Sequence, residues 1–460
     1  MAQSSLVVVG GGVGGYASAL RAARRGAAVT LIEKDRIGGV CLNKGCIPTK
    51  VLLHASALLH DMKKAPLFGV SAGAVSFDHA AILARKSAIV GKLTGGVAAL
   101  LRASKIKVID GTAAFTDPHT LKIRETGETV TADKIIIATG SLPARLTLPG
   151  SDAVPLLTSD DLLDLDSLPE SLVLIGGGYI GVELGQFFSR VGVKVTIVEM
   201  RDTLVPTEDA EMGQALAKAL RAEGIEILTG AAVEKVAPAK GGATVFVRTA
   251  TGRTEIAASA VAQTVGRVPS FEGLDIQKIG LRTEKGAIQV SARMQTSVPH
   301  IYAVGDVTGG ILLAHVAMAE AECAVENALA GDGEEMSYHA VPRCIYTAPE
   351  IGCVGLTEAQ AAARGEVKVA RFPLHAVGKA LLMDEQDGMI KIVADRKDGE
   401  ILGVHIVGPH ATELVTEAVL AIGLECTVEE LARTIHPHPT VSEGVGEAAM
   451  MLAGGALHLP

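Results

Sequence analysis

Short hydrophobic runs that end on glycines mark two similar units in the chain. Residues 6–15 have the sequence LVVVGGGVGG, and residues 172–181 have the sequence LVLIGGGYIG. In each unit an apolar run of strand length opens onto Gly-x-Gly-x-x-Gly, a helical stretch follows, and a second strand ends on Glu33 or Glu199. Both acids lie 23 residues after the first glycine of their motif. The pattern predicts a repeated strand–turn–helix–strand unit.

The residues between the two units predict helices first and strands afterwards. Residues 50–105 are rich in Ala and Leu and predict a helical region. Strand-like runs follow at residues 107–115, 120–131 and 134–141. The prolines and acids of residues 143–171 indicate a connection that crosses to the second unit.

The last third of the chain has a different pattern. A third strand–glycine–acid element, IYAVGDVTGG, occupies residues 301–310. From about Ser337, strands alternate with helices as far as HPHPTVSE at residues 436–443, and a short apolar tail follows. This change predicts a further, C-terminal domain.

Composition and charge narrow the class of protein. The 460 residues suffice for about three domains of ~150 residues each, and a hydrophobic fraction of 48% supports large cores. The net charge of −9, with acids and bases mixed, argues against nucleic-acid binding. No apolar run reaches the ~18 residues of a membrane span, and the first residues, MAQSSLVVVG, have no basic leader. We therefore expect a cytoplasmic enzyme without a membrane or nucleic-acid partner.

The two glycine motifs predict two dinucleotide sites. The motif glycines are Gly10, Gly12 and Gly15 in the first unit and Gly176, Gly178 and Gly181 in the second. In such motifs the glycines allow a tight turn, a close approach to the pyrophosphate and packing of helix on strand. The helix N-terminus adds free N–H groups. Glu33 and Glu199 would accept hydrogen bonds from ribose hydroxyls. Two plain α/β units with glycine turns are the weaker explanation, because the motif occurs twice in the same context.

A close pair of cysteines follows the first unit in GGVCLNKGCIPTK, residues 38–50. Pro48 suits the first turn of a helix that begins near Cys46. A helix N-terminus and the cation of Lys50 would both lower the pKa of a thiol, and the thiolate is the form that exchanges with disulfides. Six cysteines in so long a chain are no disulfide scaffold, so Cys41 and Cys46 predict redox chemistry. For a CxxxxC pair alone, two inert buried cysteines would be the commoner case.

Two dinucleotides in one chain suggest that electrons pass from one to the other. A nicotinamide carries a hydride, and a flavin takes two electrons and passes them on. Because the cysteine pair directly follows the first unit, we expect FAD in the first site and NAD in the second. No metal site is predicted.

Taken together, the motifs resemble those of the pyridine nucleotide-disulfide oxidoreductases. Besides the glycine motifs and the cysteine segment, the likeness rests on IIIATGS, VGRVP, IYAVGDVTG, IYTAPE and HPHPTVSE, which extend over essentially the whole chain. It implies an α/β fold with two Rossmann-like dinucleotide-binding domains and a C-terminal α+β dimerisation domain. The expected boundaries are residues 1–145 for the FAD domain, 146–268 for the NAD domain, 269–337 for a central segment that completes the FAD site, and 338–460 for the dimerisation domain.

Within the family, the resemblance is to the members that oxidise dihydrolipoamide. It implies a redox disulfide between Cys41, the thiol that attacks the substrate, and Cys46, the thiol in charge-transfer contact with the flavin. His438 and Glu443 match the family's His–Glu pair, with the histidine as base in the partner subunit's site. Pro437 and Pro439 restrict the backbone around His438. The neighbouring His436 is expected to be structural.

The resemblance also implies cofactor contacts. Lys50 and Glu183 match a pair beside the reactive edge of the flavin. A solvated helix charge is the weaker explanation for Glu183, because its position just after the third glycine of the second motif is close to the cofactor cleft. Asp306 matches the acid that binds the ribityl chain, although acids are also common in turns after strands. The expected FAD residues are Gly10, Gly12, Gly15, Glu33, Lys50, Thr139, Gly140, Asp306 and Ala314. The expected NAD residues are Gly176, Gly178, Gly181, Glu183, Glu199 and Gly266.

Some positions depart from the family pattern, and alternatives remain open. Val40, Lys44 and Val268 replace residues usual in the family, which affects the expected substrate affinity more than the mechanism. The expected function is oxidation of protein-bound dihydrolipoamide by a homodimer, with NAD⁺ as acceptor and the lipoyl domain of a 2-oxoacid dehydrogenase-type complex as partner. The alternatives are an NADPH-dependent reductase of a small disulfide, which Arg201 would favour, and a non-catalytic flavoprotein subunit. Four further cysteines are expected in the core: Cys323, Cys344, Cys353 and Cys426.

Overall fold

A parallel five-stranded sheet carries the first glycine motif. The computed structural model describes residues 4–71, 73–331 and 333–459. In spatial order the strands are Ile301–Ala303, Lys134–Ile137, Ser5–Val9, Ala28–Glu33 and Lys107–Asp110. Continuous Val, Ile and Leu runs suit these strands, because a parallel sheet is buried on both faces. The third strand–glycine–acid element, predicted at residues 301–310, contributes the strand Ile301–Ala303 to the edge of this sheet.

The helices Val13–Arg24, His79–Ala103 and Ala314–Leu329 pack on this sheet. The helices Gly39–Lys44 and Cys46–Lys64 pack on each other and on His79–Ala103. The predicted helical region 50–105 is interrupted: a 3-10 turn at Ala65–Phe68 follows the helix that begins at Cys46, and the next helix begins only after Asp78. Pro66 and the left-handed Gly69 explain the interruption, and Asp78 caps the second helix by accepting a hydrogen bond from Ala81 N at 3.0 Å. Beside the sheet lies a meander of strands Ala113–Asp117, Thr120–Ile123 and Thr129–Thr131.

The second glycine motif lies in a parallel sheet of the same kind. Its strands are, in spatial order, Glu226–Leu228, Lys194–Val198, Ser171–Ile175, Ala260–Gln263 and Leu156–Leu157. The helices Tyr179–Arg190 and Ala210–Ala222 belong to this unit. The predicted crossing connection of residues 143–171 also contains the edge strand Leu156–Leu157 and a short helix, Ser159–Leu162. Three antiparallel strands that are not among the predicted elements follow: Ala232–Ala239, Gly242–Thr249 and Gly252–Ala258.

The C-terminal part contains an antiparallel sheet with helices. The strands are, in spatial order, Arg343–Ile345, Glu350–Gly355, Ile401–Gly408, Met389–Asp395 and Val367–Pro373. The helices are Glu358–Ala362, Gly378–Leu382, Ala411–Gly423, Val428–Arg433 and Glu443–Ala453. Two small antiparallel pairs complete the strands, Ser141–Pro143 with Arg267–Pro269 and Thr283–Glu284 with Ala287–Ile288. Further 3-10 turns are Ile276–Ile279, Gly305–Thr308 and Leu374–Ala376. The expected outermost boundaries, residues 1 and 460, lie outside the described residues, and the other domain boundaries stay predictions.

Across the described ranges of the chain, no helix is long and apolar enough to cross a membrane. The remaining cysteines lie where the sequence predicts them. Cys323 and Cys353 are buried, and Cys344 and Cys426 are half-buried against the hydrophobic core of the C-terminal domain.

A buried lysine joins the second unit to the C-terminal sheet. Lys391 is only 1% exposed, and its ammonium donates to Asp209 Oδ1 at 2.8 Å, Glu211 Oε1 at 2.7 Å and Glu358 Oε2 at 2.7 Å. Burial works against ionisation of Asp209, but the hydrogen bonds from Lys391 and Glu358 N, together with the charge of Lys391, outweigh burial and lower the pKa of Asp209. Asp209 depends most on this cation, because it is a buried carboxylate that would lose its ion pair, whereas Glu211 and Glu358 also pair with Arg371.

We expect Lys391→Met to destabilise the protein by about 3–5 kcal/mol near neutral pH, as measured by urea unfolding. Since the folded-state pKa of Asp209 is depressed, the stability from this pair is present above the unfolded-state pKa and disappears as the pH falls through the folded-state value. The difference between variant and wild type should therefore shrink in acid. The control is Lys218→Ala, whose ion pair with Asp387 is 80% and 86% exposed and should contribute less than about 1 kcal/mol. An equal loss in both variants would contradict this account.

Candidate active site

The first glycine turn leaves room at a helix N-terminus. Gly10 has a φ of +103°, and a Cβ at that position would lie 2.3 Å from the carbonyl oxygen of Ala138. A Cβ on Gly15 would lie 1.8 Å from Gly10 O. The helix Val13–Arg24 begins directly after Gly12 without a side-chain cap, so its first N–H groups are available to an anion. This turn fits a pyrophosphate.

Two more features of the first site fit a nucleotide. Glu33 is held in place by two backbone donors: Gly11 N donates to Oε2 at 2.5 Å and Asp35 N to Oε1 at 2.7 Å. Each carboxylate oxygen retains a second lone pair for a ribose hydroxyl. The Thr139 hydroxyl is buried and has no hydrogen-bond partner among the described residues. A buried hydroxyl without a partner in the protein fits a site that a ligand completes.

Asp306 lies in the 3-10 turn Gly305–Thr308, and it accepts a hydrogen bond from the Ser141 hydroxyl. Arg267 Nε donates to the same hydroxyl at 2.8 Å, so the acid is linked to a guanidinium. The sequence pointed to Asp306 but to neither of these partners. Ala314, another expected FAD residue, begins the helix Ala314–Leu329, again without a side-chain cap.

The second glycine turn repeats the first. The helix Tyr179–Arg190 begins directly after Gly178, where a Cβ would meet no atom within 4 Å. Glu199 accepts from Gly177 N on Oε2 and from Arg201 N on Oε1, both at 2.7 Å. The two predicted ribose acids thus share one arrangement, in which the carboxylate is bound to the backbone of its own glycine loop. The Arg201 side chain is exposed.

The cysteine pair lies at the start of a helix, as the sequence predicts. Cys41 lies in the helix Gly39–Lys44, and Cys46 is the first residue of the helix Cys46–Lys64. Both are half-buried free thiols in the structure. The hydrogen bond between the two thiols, together with the Lys50 cation, outweighs burial and lowers the pKa of Cys46 to about 7. The same bond and burial raise the pKa of Cys41. Of the two thiols, Cys46 is therefore the one that ionises first, and Cys41 is the one that keeps its proton.

Lys50 forms an ion pair with Glu183. Its ammonium lies 2.8 Å from Oε2 and 3.1 Å from Oε1, and the Glu183 side chain is only 3% exposed. Glu183 is thus not the surface charge that the sequence left as an alternative. A third residue, Tyr346, joins the pair: its N–H donates to Glu183 Oε1 at 3.0 Å, and its ring centroid lies 4.4 Å from Lys50 Nζ. The motif IYTAPE contains Tyr346, but nothing in the sequence indicates this contact.

His438 and Glu443 form a hydrogen-bonded pair in the C-terminal domain. The distance from Nδ1 to Oε1 is 2.8 Å, and the His438 side chain is 80% exposed. Burial alone would raise the pKa of Glu443, but the hydrogen bonds from Thr440 N and His438 lower it. The neighbouring His436 has a different environment, since its ring is buried and bonded to Glu417 at 3.0 Å. The exposed imidazole is the one that a reacting group can reach.

Two family models match the chain. The model described as pyridine nucleotide-disulphide oxidoreductase matches residues 4–321, and the dimerisation domain of the same family matches residues 341–449. The chain belongs to the pyridine nucleotide-disulphide oxidoreductase family. FAD and NAD(H) are the cofactors of this family, and the two glycine turns, their acids and Thr139 fit them. The protein is therefore an oxidoreductase.

Members of this family with about the same length are similar to the whole chain. Proteins named dihydrolipoyl dehydrogenase are 43% identical in Thermus scotoductus, with 99% of this chain and 98% of the relative covered, and 40% identical in Bacillus subtilis, with 98% of each covered. The solved structure of LpdA from Mycobacterium tuberculosis has a TM-score of 0.88 at 29% identity, with 98% of this chain and 99% of that chain covered. The flavoprotein disulfide reductase RclA from Escherichia coli, as a Cu(II) complex, has a TM-score of 0.87 at 29% identity, with 98% and 100% covered. These matches confirm the predicted fold class.

Proposed function

We propose that the protein is a dihydrolipoyl dehydrogenase, which oxidises protein-bound dihydrolipoamide to lipoamide with NAD⁺ as the final acceptor. The observation that carries the proposal is the Cys41–Cys46 pair at a helix start, with the Lys50–Glu183 ion pair one turn further on. The named relatives at 40–43% identity support the same substrate.

In the proposed reaction the pair begins as a disulfide. A thiolate of dihydrolipoamide attacks Cys41 Sγ, the Cys41–Cys46 bond breaks, and Cys46 leaves as a thiolate. The second substrate thiol then attacks the substrate sulfur of the mixed disulfide, so that lipoamide leaves with its ring disulfide and Cys41 takes the remaining electron pair and a proton. A thiol of low pKa is the better leaving group, which suits Cys46 with a pKa of about 7.

The two cofactors would occupy the two glycine units, FAD in the first and NAD(H) in the second. Gly12, Glu33, Thr139 and Asp306 would hold FAD, which when bound takes the electron pair from the dithiol and passes it as a hydride to NAD⁺. Lys50 would lie at the flavin's reactive edge. The second glycine turn, with Glu199 and Gly266, would hold NAD(H).

The base of the reaction is His438. The attacking thiol must lose its proton, and an imidazole is the side chain that can accept a proton near neutral pH. Glu443 holds Nδ1, so Nε2 is directed outward. Because His438 is exposed and the family has a dimerisation domain, we place this base in the site of the partner subunit of a homodimer. The substrate would be the lipoyl domain of a 2-oxoacid dehydrogenase-type complex in the cytoplasm.

The assay that tests the function measures two reactions. One is the oxidation of dihydrolipoamide by NAD⁺, and the other is the reduction of glutathione disulfide by NADPH. We expect turnover with the first pair and a kcat/KM for NAD(H) about 100-fold or more above that for NADP(H), because Glu199 would face the charge of a 2′-phosphate. Glu199→Gln should narrow this ratio. Glu255→Gln, an exposed acid of the same unit, should leave it unchanged. Equal kcat/KM values in the wild type would mean that Arg201 governs the site, and turnover of glutathione disulfide alone would favour a small-disulfide reductase.

A further inference from the structure

One helix connects the three parts of the fold that meet at the thiol pair. The helix Tyr179–Arg190 presents Glu183, Gln186 and Arg190, whose spacing places them along one side. All three are buried, and Gln186 is 0% exposed. Glu183 binds Lys50 from the first unit, whereas Gln186 binds the C-terminal domain.

Gln186 binds the backbone of a single residue with both ends of its amide. Its Nε2 donates to Ala348 O at 2.7 Å, and its Oε1 accepts from Ala348 N at 2.8 Å. The other Nε2 hydrogen points to Glu223 Oε1 at 2.9 Å, and Glu223 is held in turn by Arg190 at 2.7 and 2.8 Å. A buried amide that uses both its NH2 hydrogens and its oxygen ties the segment that it binds to the helix, since loss of either bond to Ala348 would leave a polar atom of the buried Gln186 side chain unpaired.

The fixed segment carries Tyr346 to the ion pair. Tyr346 lies two residues before Ala348, and it contacts both members of the pair, through its N–H to Glu183 and its ring to Lys50. Tyr346 is 41% exposed, so it contacts the ion pair from the solvent side. A ring over an ammonium restricts the positions of a flexible lysine side chain that is itself 32% exposed.

We propose that Gln186 and Tyr346 are positioning residues for the Lys50 ammonium: Gln186 fixes the Tyr346–Ala348 segment, and Tyr346 fixes Lys50 and Glu183 beside the Cys41–Cys46 pair. The C-terminal domain thus contributes to the site within its own chain as well as through His438. The inference rests on the proposed redox role of the two thiols.

The position of Lys50 matters because its charge acts on both thiols. The Lys50 cation favours the thiolate of Cys46, whereas the Glu183 carboxylate opposes it. A lysine released from the ring is better solvated and more mobile, so its effect on the thiolate weakens. The Tyr346 N–H has the complementary effect, because it draws charge from Glu183 Oε1.

The test is the apparent pKa of the reduced thiol pair in the holoenzyme. It is obtained from the pH dependence of the ultraviolet thiolate absorbance, reduced minus oxidised, after anaerobic reduction with dithiothreitol. We expect Tyr346→Leu to raise this pKa by about half a unit or more. Tyr346→Phe keeps the ring and should leave the pKa as in the wild type. Gln186→Met should also raise the pKa of the thiol pair. The double variant with Tyr346→Leu and Gln186→Met should shift this pKa no further than the larger of the two single shifts, because both residues act on Lys50 through one segment.

The control is Phe246→Leu, which removes the ring below Lys235 at 5.2 Å in the second unit and should not change the pKa. An unchanged or lowered pKa in Tyr346→Leu overturns the inference, and additive shifts in the double variant overturn the part that concerns Gln186. If Gln186→Met does not fold, the Tyr346 variants decide. The thiol titration needs no substrate, so it decides the role of Tyr346 independently of the proposed function. A wild type that does not oxidise dihydrolipoamide would refute the proposed function alone.

Discussion

Cys41→Ser is expected to lower dihydrolipoamide oxidation by about 1,000-fold or more while the bound flavin is still reduced by NADH. A serine hydroxyl cannot form the mixed disulfide, so the covalent route is lost. In the proposed reaction, hydride transfer between NADH and the flavin would not involve this thiol. Steady-state assays with dihydrolipoamide and NAD⁺ measure the first effect, and anaerobic titration with NADH, followed by flavin absorbance, measures the second.

The matched control for this prediction is Cys426→Ser. Cys426 is half-buried in the C-terminal domain and lies outside the pair, so the variant should keep wild-type turnover. Normal turnover in Cys41→Ser would show that the cysteine pair has only a structural role. Loss of flavin reduction together with turnover would instead indicate a damaged cofactor site, since the two readouts separate chemistry from binding.

Subunits that each lack one half of the site should restore activity when they are mixed. His438→Ala alone should lower turnover by about 100- to 10,000-fold, because the general base is lost. Cys41→Ser lacks the sulfur that the substrate thiolate attacks in the proposed reaction. In a mixed dimer one site would combine an intact thiol pair with an intact base from the other subunit. After free exchange of equal amounts, half of the dimers are mixed, and about a quarter of wild-type activity should return.

Mass spectrometry of tagged subunits would prove that the subunits have exchanged. The control variant is His339→Ala, which changes another exposed histidine and should keep wild-type activity. If exchange is proven and no activity returns, the base acts within its own chain. The geometry that leads to the prediction is the 80% exposed His438 ring, held from behind by Glu443.

The helix after the thiol pair and the two glycine units could be predicted because their causes are local. The strand, the turn, the helix N-terminus and the acid of each unit lie within one short stretch, and the bond from Gly11 N or Gly177 N to that acid spans only 22 residues. Residue type and spacing suffice for such features, since backbone sterics and hydrophobic periodicity determine them. Cys46 at a helix start is a feature of the same kind.

Other parts of the fold and the site depend on contacts between distant segments. The hairpins of residues 232–258 are stabilised mainly by packing against neighbouring strands, so their pattern is weaker than that of a buried parallel strand. The contact of Tyr346 with Glu183 spans 163 residues, and that of Ser141 with Asp306 spans 165. No local pattern encodes which distant side chain reaches a given charge.

The amino-acid sequence by itself thus determined the two glycine units, the close cysteine pair at a helix start and the His438–Glu443 pair, whose members are neighbours along the chain. Only the tertiary structure decided that Glu183 is buried and paired, that Tyr346 covers Lys50, and that Lys391 is surrounded by three carboxylates. The physical reason is that charge and hydrogen-bonding capacity are properties of a residue, whereas burial and partners arise when separate segments pack together and exclude water.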